Sequence, residues 1–176
     1  MNQSISGETE SSTDSETVFR KIDRLKLDIE NFRTSIGCPG VTSRVNDIQE
    51  YFDMTRTEIR ALTPDRCAEA ILELQLHNYY INKKINSYKA VVGYLESELN
   101  RGLGEFGPQY PGYHEKGEKL SLIIYDNIYF MEVNKYLVAY KARISACYND
   151  TNSINTICDA IKQVQFAKRN IHEHSY

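Results

Sequence analysis

The run TPDRCAEAILELQLHNYYINKKINSYKAVVGYLESELN, residues 63–100, decides the fold class. Within it Cys67, Ile71, Leu74, Asn78, Ile81, Ile85, Tyr88, Val92, Leu95 and Leu99 follow one another at alternating steps of four and three. That spacing keeps one side of an α-helix facing a partner over its whole length. Thr63-Pro64-Asp65 reads as a helix start: Thr as the N-cap, Pro at the first helical position, an acid against the positive end of the dipole. Asn78 alone interrupts the apolar stripe. A polar residue at such a position either sets register and oligomer state or meets a polar group on a neighbouring element.

The same spacing recurs on both sides of this run. Val18, Ile22, Leu25, Ile29, Phe32 and Ile36 predict a helix that begins at 15–18 and stops at Gly37-Cys38-Pro39-Gly40. Val45, Ile48, Phe52, Thr55, Ile59 and Leu62 predict a second helix over 42–61, pairing with the first as a helical hairpin. After residue 117 the positions Ile123, Phe130, Val133, Leu137, Tyr140, Ile144, Cys147, Thr151, Ile154, Cys158 and Ile161 hold one register. The reading there leans to one long helix over 118–172, although 120–129 is β-branched and aromatic enough to admit a strand. Asn149-Asp150-Thr151-Asn152 is poor helix sequence, yet the register runs through it. Gly102, Gly104, Gly107, Pro108, Pro111, Gly112 and Gly117 predict an irregular loop over 101–117. The expected class is all-α: long amphipathic helices in a helical bundle or coiled-coil arrangement, forming a homo-oligomer. The expected division is an acidic tail at 1–17, a helical hairpin at 18–62, and a main helical domain at 63–176.

Composition narrows the function. The tail at 1–17 is rich in Ser and Thr, carries Glu8, Glu10, Asp14 and Glu16 with no Lys or Arg, and reads as disordered. The formal net charge is -3. The four acids of that tail more than account for it, so the rest of the chain is close to neutral and local patches matter more than the total. A flexible tail of this length could lie over a basic face and compete with phosphates. No apolar run approaches the length of a membrane span, and no secretory signal opens the chain, so the expected compartment is cytoplasmic, the host cytoplasm for a phage-encoded protein. The four cysteines, Cys38, Cys67, Cys147 and Cys158, are scattered without a C-x-x-C pair, and are read as small buried hydrophobes rather than a zinc or disulfide site.

Catalytic signatures are not found. The glycines after Arg101 lack the GK[ST] ending of a phosphate loop, and no HExxH or G-x-S-x-G occurs. Glu96/Glu98 and Glu115/Glu118 have no neighbour in sequence that would raise a carboxyl pKa. His77 sits mid-helix, and His172 with His174 falls at the C-terminal end, a place for solvated side chains rather than ligands. The expectation is a non-enzymatic protein with no metal and no cofactor.

Cations and aromatic rings cluster in three stretches free of acids. Residues 77–95 hold Lys83, Lys84 and Lys89 among Tyr79, Tyr80, Tyr88 and Tyr94; Arg101 follows. Residues 133–149 hold Lys135, Lys141 and Arg143 with Tyr136, Tyr140 and Tyr148, and residues 160–172 hold Lys162, Lys168 and Arg169 with Phe166. Lys and Arg neutralise phosphates, and rings give bases a stacking surface. Lys83, Lys84, Lys89, Arg101, Lys141, Arg143, Lys162, Lys168 and Arg169 are therefore the candidate nucleic-acid-binding residues. A solvated helix face with core tyrosines gives the same pattern.

The segment Asp159-Ala160-Ile161-Lys162, three residues, then Phe166-Ala167-Lys168-Arg169 and Ile171 resembles the closing segment of the UvsY-type bacteriophage recombination mediators, of the form D-A-I-K-x-x-x-F-A-I-K-x-I. Lys168-Arg169 stands where that family shows Ile-Lys, and the match covers about thirteen residues. Lys141-Ala142-Arg143-Ile144 followed by Tyr148 resembles the family's Lys-Ala-Arg-Leu element, but too few residues separate it from the closing segment. The resemblance implies a homo-oligomer that binds single-stranded DNA, remodels single-strand-binding protein, and assists the loading of a RecA-like recombinase. The second reading is a helical structural or scaffold protein, a virion component or adaptor, that assembles through its heptad seams.

Overall fold

The computed structural model describes residues 10–35, 48–113 and 115–173. Among them every regular element is helical: α1 (Glu10–Ser35), α2 (Gln49–Asp53), α3 (Arg56–Ala61), α4 (Pro64–Phe106), a 3-10 turn (Gly107–Gln109), α5 (Lys116–Asp126) and α6 (Ile128–Glu173). The all-α expectation stands, and the strand admitted at 120–129 is instead α5 and the start of α6. No described helix is long and apolar enough to cross a membrane.

The chain forms two compact units, one of Met1–Gly37 with Tyr88–Ala142 and one of Cys38–Ser87 with Arg143–Tyr176. The division cuts across the expected one at 62/63: α1 groups with the C-terminal half of α4, whereas α2 and α3 group with its N-terminal half. In the first unit Leu25 and Ile29 of α1, Val91, Leu95 and Leu99 of α4, Ile123 of α5, and Phe130, Val133, Leu137 and Tyr140 of α6 form one apolar core. In the second, Ile48, Tyr51, Cys67, Ala70, Leu74, Ile81, Ile85, Ile154, Cys158 and Ile161 do the same. The heptad stripes of α1, α4 and α6 are thus filled within the chain, and burying them does not require another copy. Along α4 the buried apolar line follows the expected stripe except at Ala70 and Val91, which are buried more deeply than Ile71 and Val92 beside them.

Asn78 is buried in the second unit, and its amide donates to Asn155 Oδ1 at 3.1 Å. Asn82 in turn donates to the Asn78 carbonyl at 3.0 Å. The polar seam position therefore meets a polar partner on α6 of the same chain. Tyr51 of α2 donates its hydroxyl to Glu73 of α4, and burial with that carboxylate drives its pKa far up, so it remains a neutral donor.

Four sequence expectations are corrected. Helix α1 starts at Glu10 rather than 15–18, so 10–17 is not disordered; acids favour a helix N-terminus, and Glu16 pairs with Arg20 at 2.8 Å. Residues 1–9, and with them Glu8, lie outside the described residues. The single helix expected over 42–61 is broken at Met54-Thr55, with 42–47 and the Gly37–Gly40 stop outside the described residues. The break is a capping box: Thr55 accepts from the Glu58 backbone N–H, and Glu58 accepts from the Thr55 backbone N–H. Tyr51, not Phe52, then faces the core. The expected loop at 101–117 is helical to Gln109, because Gly102 lies against the buried Phe130 ring and that packing outweighs glycine's poor helix propensity. Finally, 118–172 is two helices. Asn127 is extended, closes α5 through its N–H to the Ile123 carbonyl at 3.1 Å, and caps α6 by accepting from the Tyr129 N–H at 3.0 Å. No break follows at 149–152: Ser153 and Thr156 return their hydroxyls to the carbonyls of Asn149 and Asn152.

Candidate nucleic-acid interface

In the first unit the expected cations Lys89, Arg101 and Lys141 are all exposed. Arg101 pairs with Glu98 at 2.8 Å and Glu105 at 3.5 Å, and the Glu98 hydrogen bond raises its already high pKa further. Lys141 pairs with Glu96 at 2.8 Å. The partners of Arg101 lie one turn away on its own helix, and that of Lys141 lies on another helix, so an acid-free stretch of sequence is not an acid-free surface. Most of the tyrosines counted for stacking face inward here. Tyr88, Tyr94, Tyr129 and Tyr136 pack against the core, with Tyr88 edge-on to Tyr140 at 5.6 Å between ring centres.

A cavity of about 340 Å³ in this unit contains cations that the sequence reading missed. Lys21 and Arg24 of α1 line it beside Arg101, Tyr94 and Tyr129, with Asp28, Glu98 and Glu105 in the same wall. Lys21 and Arg24 have no ion-pair partner among the described residues. Tyr129 donates to Glu98 at 3.1 Å, and burial followed by that negative charge pushes its pKa up to about 12. It is a fixed hydrogen-bond donor and not a base. The site can hold an anionic group next to a ring, although its own carboxylates balance its cations. The signal in sequence was the spacing Lys21, Arg24, Asp28 on one helix face, hidden by Asp23 between them.

In the second unit Lys83 lies over the Tyr79 ring, 4.7 Å from its centre. Lys84 is half-buried near His77 and Asp150. His77 is held below its ordinary pKa by burial and then by Lys84, so it is neutral near pH 7. Arg143 is exposed. Lys168 is half-buried and donates to the Leu62 carbonyl at 2.6 Å, while Gln165 donates to the Pro64 carbonyl at 3.2 Å. Lys168 thereby closes the end of α3, and a structural duty removes it from the set of free cations.

Lys162, Phe166 and Arg169 remain on the last turns of α6. At steps of four and three they share one face, while Ile154, Cys158 and Ile161 are in the core. Phe166 is 67% exposed with a cation one turn away on either side. Lys162 pairs with Asp159 at 3.1 Å, an exposed contact within one helix turn that competes weakly with any stronger anion.

Cys67, Cys147 and Cys158 are free thiols whose pKa burial raises. Among the described residues no group of His, Cys, Asp and Glu could hold a metal ion. Cys38 and His174 lie outside them. No family model, curated protein or solved structure matches the chain.

Proposed function

We propose that this protein is a non-enzymatic DNA-recombination accessory factor that binds single-stranded DNA as a homo-oligomer, works against single-strand-binding protein, and assists the loading of a RecA-like recombinase. One observation carries the DNA part of this reading: Lys162, Phe166 and Arg169 form an exposed basic–aromatic–basic face on α6. An exposed Phe flanked by cations suits a base stacked on the ring with its phosphates on either side. The same face lies in the segment that resembles the recombination mediators. Of the other expected contacts, Lys168 is the least suited, since its ammonium is engaged by the Leu62 carbonyl.

The test is fluorescence anisotropy of labelled oligonucleotides across a salt series. Binding is expected at low salt, weakening steeply as salt rises, because each neutralised phosphate releases a counterion. Phe166→Ala should weaken it at all salts, whereas Lys162→Ala with Arg169→Ala should also flatten the salt slope. No binding at low salt, or no response to these three substitutions, refutes the reading.

The structural or scaffold reading is favoured by a different observation. Helix α4 leaves Leu72, Leu76 and Tyr79 exposed in one line, a face suited to another helix.

A further inference from the structure

Helix α4 carries two stripes. One is in the core. The other, also at steps of four and three, runs Asp65, Glu69, Leu72, Leu76, Tyr79, Lys83, entirely within the second unit. Leu72 is 69% exposed, Leu76 54% and Tyr79 54%. Large apolar side chains scattered singly on a surface need no explanation, but three in one helical line do.

The ends of the stripe indicate what covers it. Its N-terminal end is acidic, with Asp65 and Glu69, and its C-terminal end carries Lys83. We infer that this face binds the same face of a second copy, with the two α4 helices antiparallel about a twofold axis near Leu76. In that arrangement Leu76 meets its counterpart on the axis and Leu72 faces Tyr79 of the second copy. Glu69 faces Lys83 of the second copy at each end, with Asp65 one turn beyond. A parallel arrangement puts acids on acids and lysine on lysine, so the charges select the antiparallel one. A twofold contact uses one patch twice, and this patch is complementary to itself only when reversed. The stripe spans about 27 Å of helix, so the contact belongs at the small end of specific interfaces. It forms and dissociates over a micromolar range rather than holding a permanent dimer. Neither the Arg66 contact to Glu69 at 2.7 Å nor the Tyr79 ring under Lys83 prevents this, since both are exposed side chains that keep those partners at the edge of the contact.

The inference is independent of DNA binding, which the preceding reading assigns to α6. It is tested by sedimentation velocity of the full chain, without nucleic acid, from about 1 to 100 µM. Leu76→Glu should move self-association to at least tenfold higher concentration. Glu69→Lys and Lys83→Glu should each weaken it several-fold, and the double substitution should recover most of the loss, because the swapped charges again face their opposites. Thermal melts of the variants should match the parent, since all three side chains are exposed. A sedimentation profile that Leu76→Glu leaves unchanged, a parent chain monomeric throughout, or a double variant no better than the singles overturns the inference.

Discussion

Gly102 and Gly93 lie on the same helix, and replacing each by Ala should have opposite effects. A Cβ on Gly102 would stand 2.4 Å from Phe130 Cζ and 2.5 Å from Cε1. Phe130 is 2% exposed and packs edge-on against Phe106 and Tyr129, at 5.7 and 5.2 Å between ring centres, so the ring has little room to withdraw. Overpacking of this kind costs about 1–3 kcal/mol. The better helix propensity of Ala returns up to about 1 kcal/mol. At Gly93 the new Cβ meets nothing within 4 Å, so only the propensity gain applies. Gly102→Ala should therefore be less stable than Gly93→Ala by about 1–3 kcal/mol, the overpacking alone. Urea denaturation followed by circular dichroism reads the difference from the midpoints at constant slope. Phe130→Leu, costly by itself, should cost less in the Gly102→Ala background, because the shorter side chain frees the space that the new methyl needs. Equal stability of Gly102→Ala and Gly93→Ala, or additive effects in the Phe130 cycle, would refute the claim that close packing keeps Gly102 helical.

Two further outcomes follow from hydrogen bonds. Asn78→Ala and Asn155→Ala should each lower stability by about 1 kcal/mol, and the double variant should lose little more than either single one; additive losses in a denaturation cycle would show that the two amides do not interact. The Glu58 carboxyl is held below the ordinary carboxylate range, first by the Thr55 backbone N–H and then by its hydroxyl. A lowered folded-state pKa adds stability that is complete above the unfolded value and lost as pH falls through the folded one. The stability difference between the parent and Thr55→Ala should thus be larger at pH 7 than at pH 3, measured by denaturation at both, and a constant difference would show that the Thr55 hydroxyl does not stabilise the Glu58 carboxylate.

The stripes of α1, α4 and α6 were readable from residue spacing because each helix is long and one side of it is buried throughout. Ile22, Leu25 and Ile29, or Ile154, Cys158 and Ile161, fall in the core where their periodicity puts them. Shorter elements were read less well. The break at Thr55 depends on a three-residue reciprocal cap that a continuing heptad pattern concealed, and α5 ends where one asparagine serves two helices. Glycine content misled at 102–109, since propensity describes an isolated helix and not one whose missing Cβ admits a buried ring.

The candidate site divides in the same way. That Lys162, Phe166 and Arg169 share a face follows from 3.6 residues per turn and was available in the sequence. Which cations remain available to a ligand was not, because ion pairs such as Lys141 with Glu96, and the Lys168 contact to Leu62, join residues 45 or 106 positions apart. Local order determined the helix class, the buried stripes and the solvent-facing repeats, because they depend on neighbours within a turn or two. Only tertiary structure decided that the stripes are filled by the chain itself, that Asn78 meets Asn155, and that Leu72, Leu76 and Tyr79 are left uncovered, because each depends on which distant helix occupies the facing side.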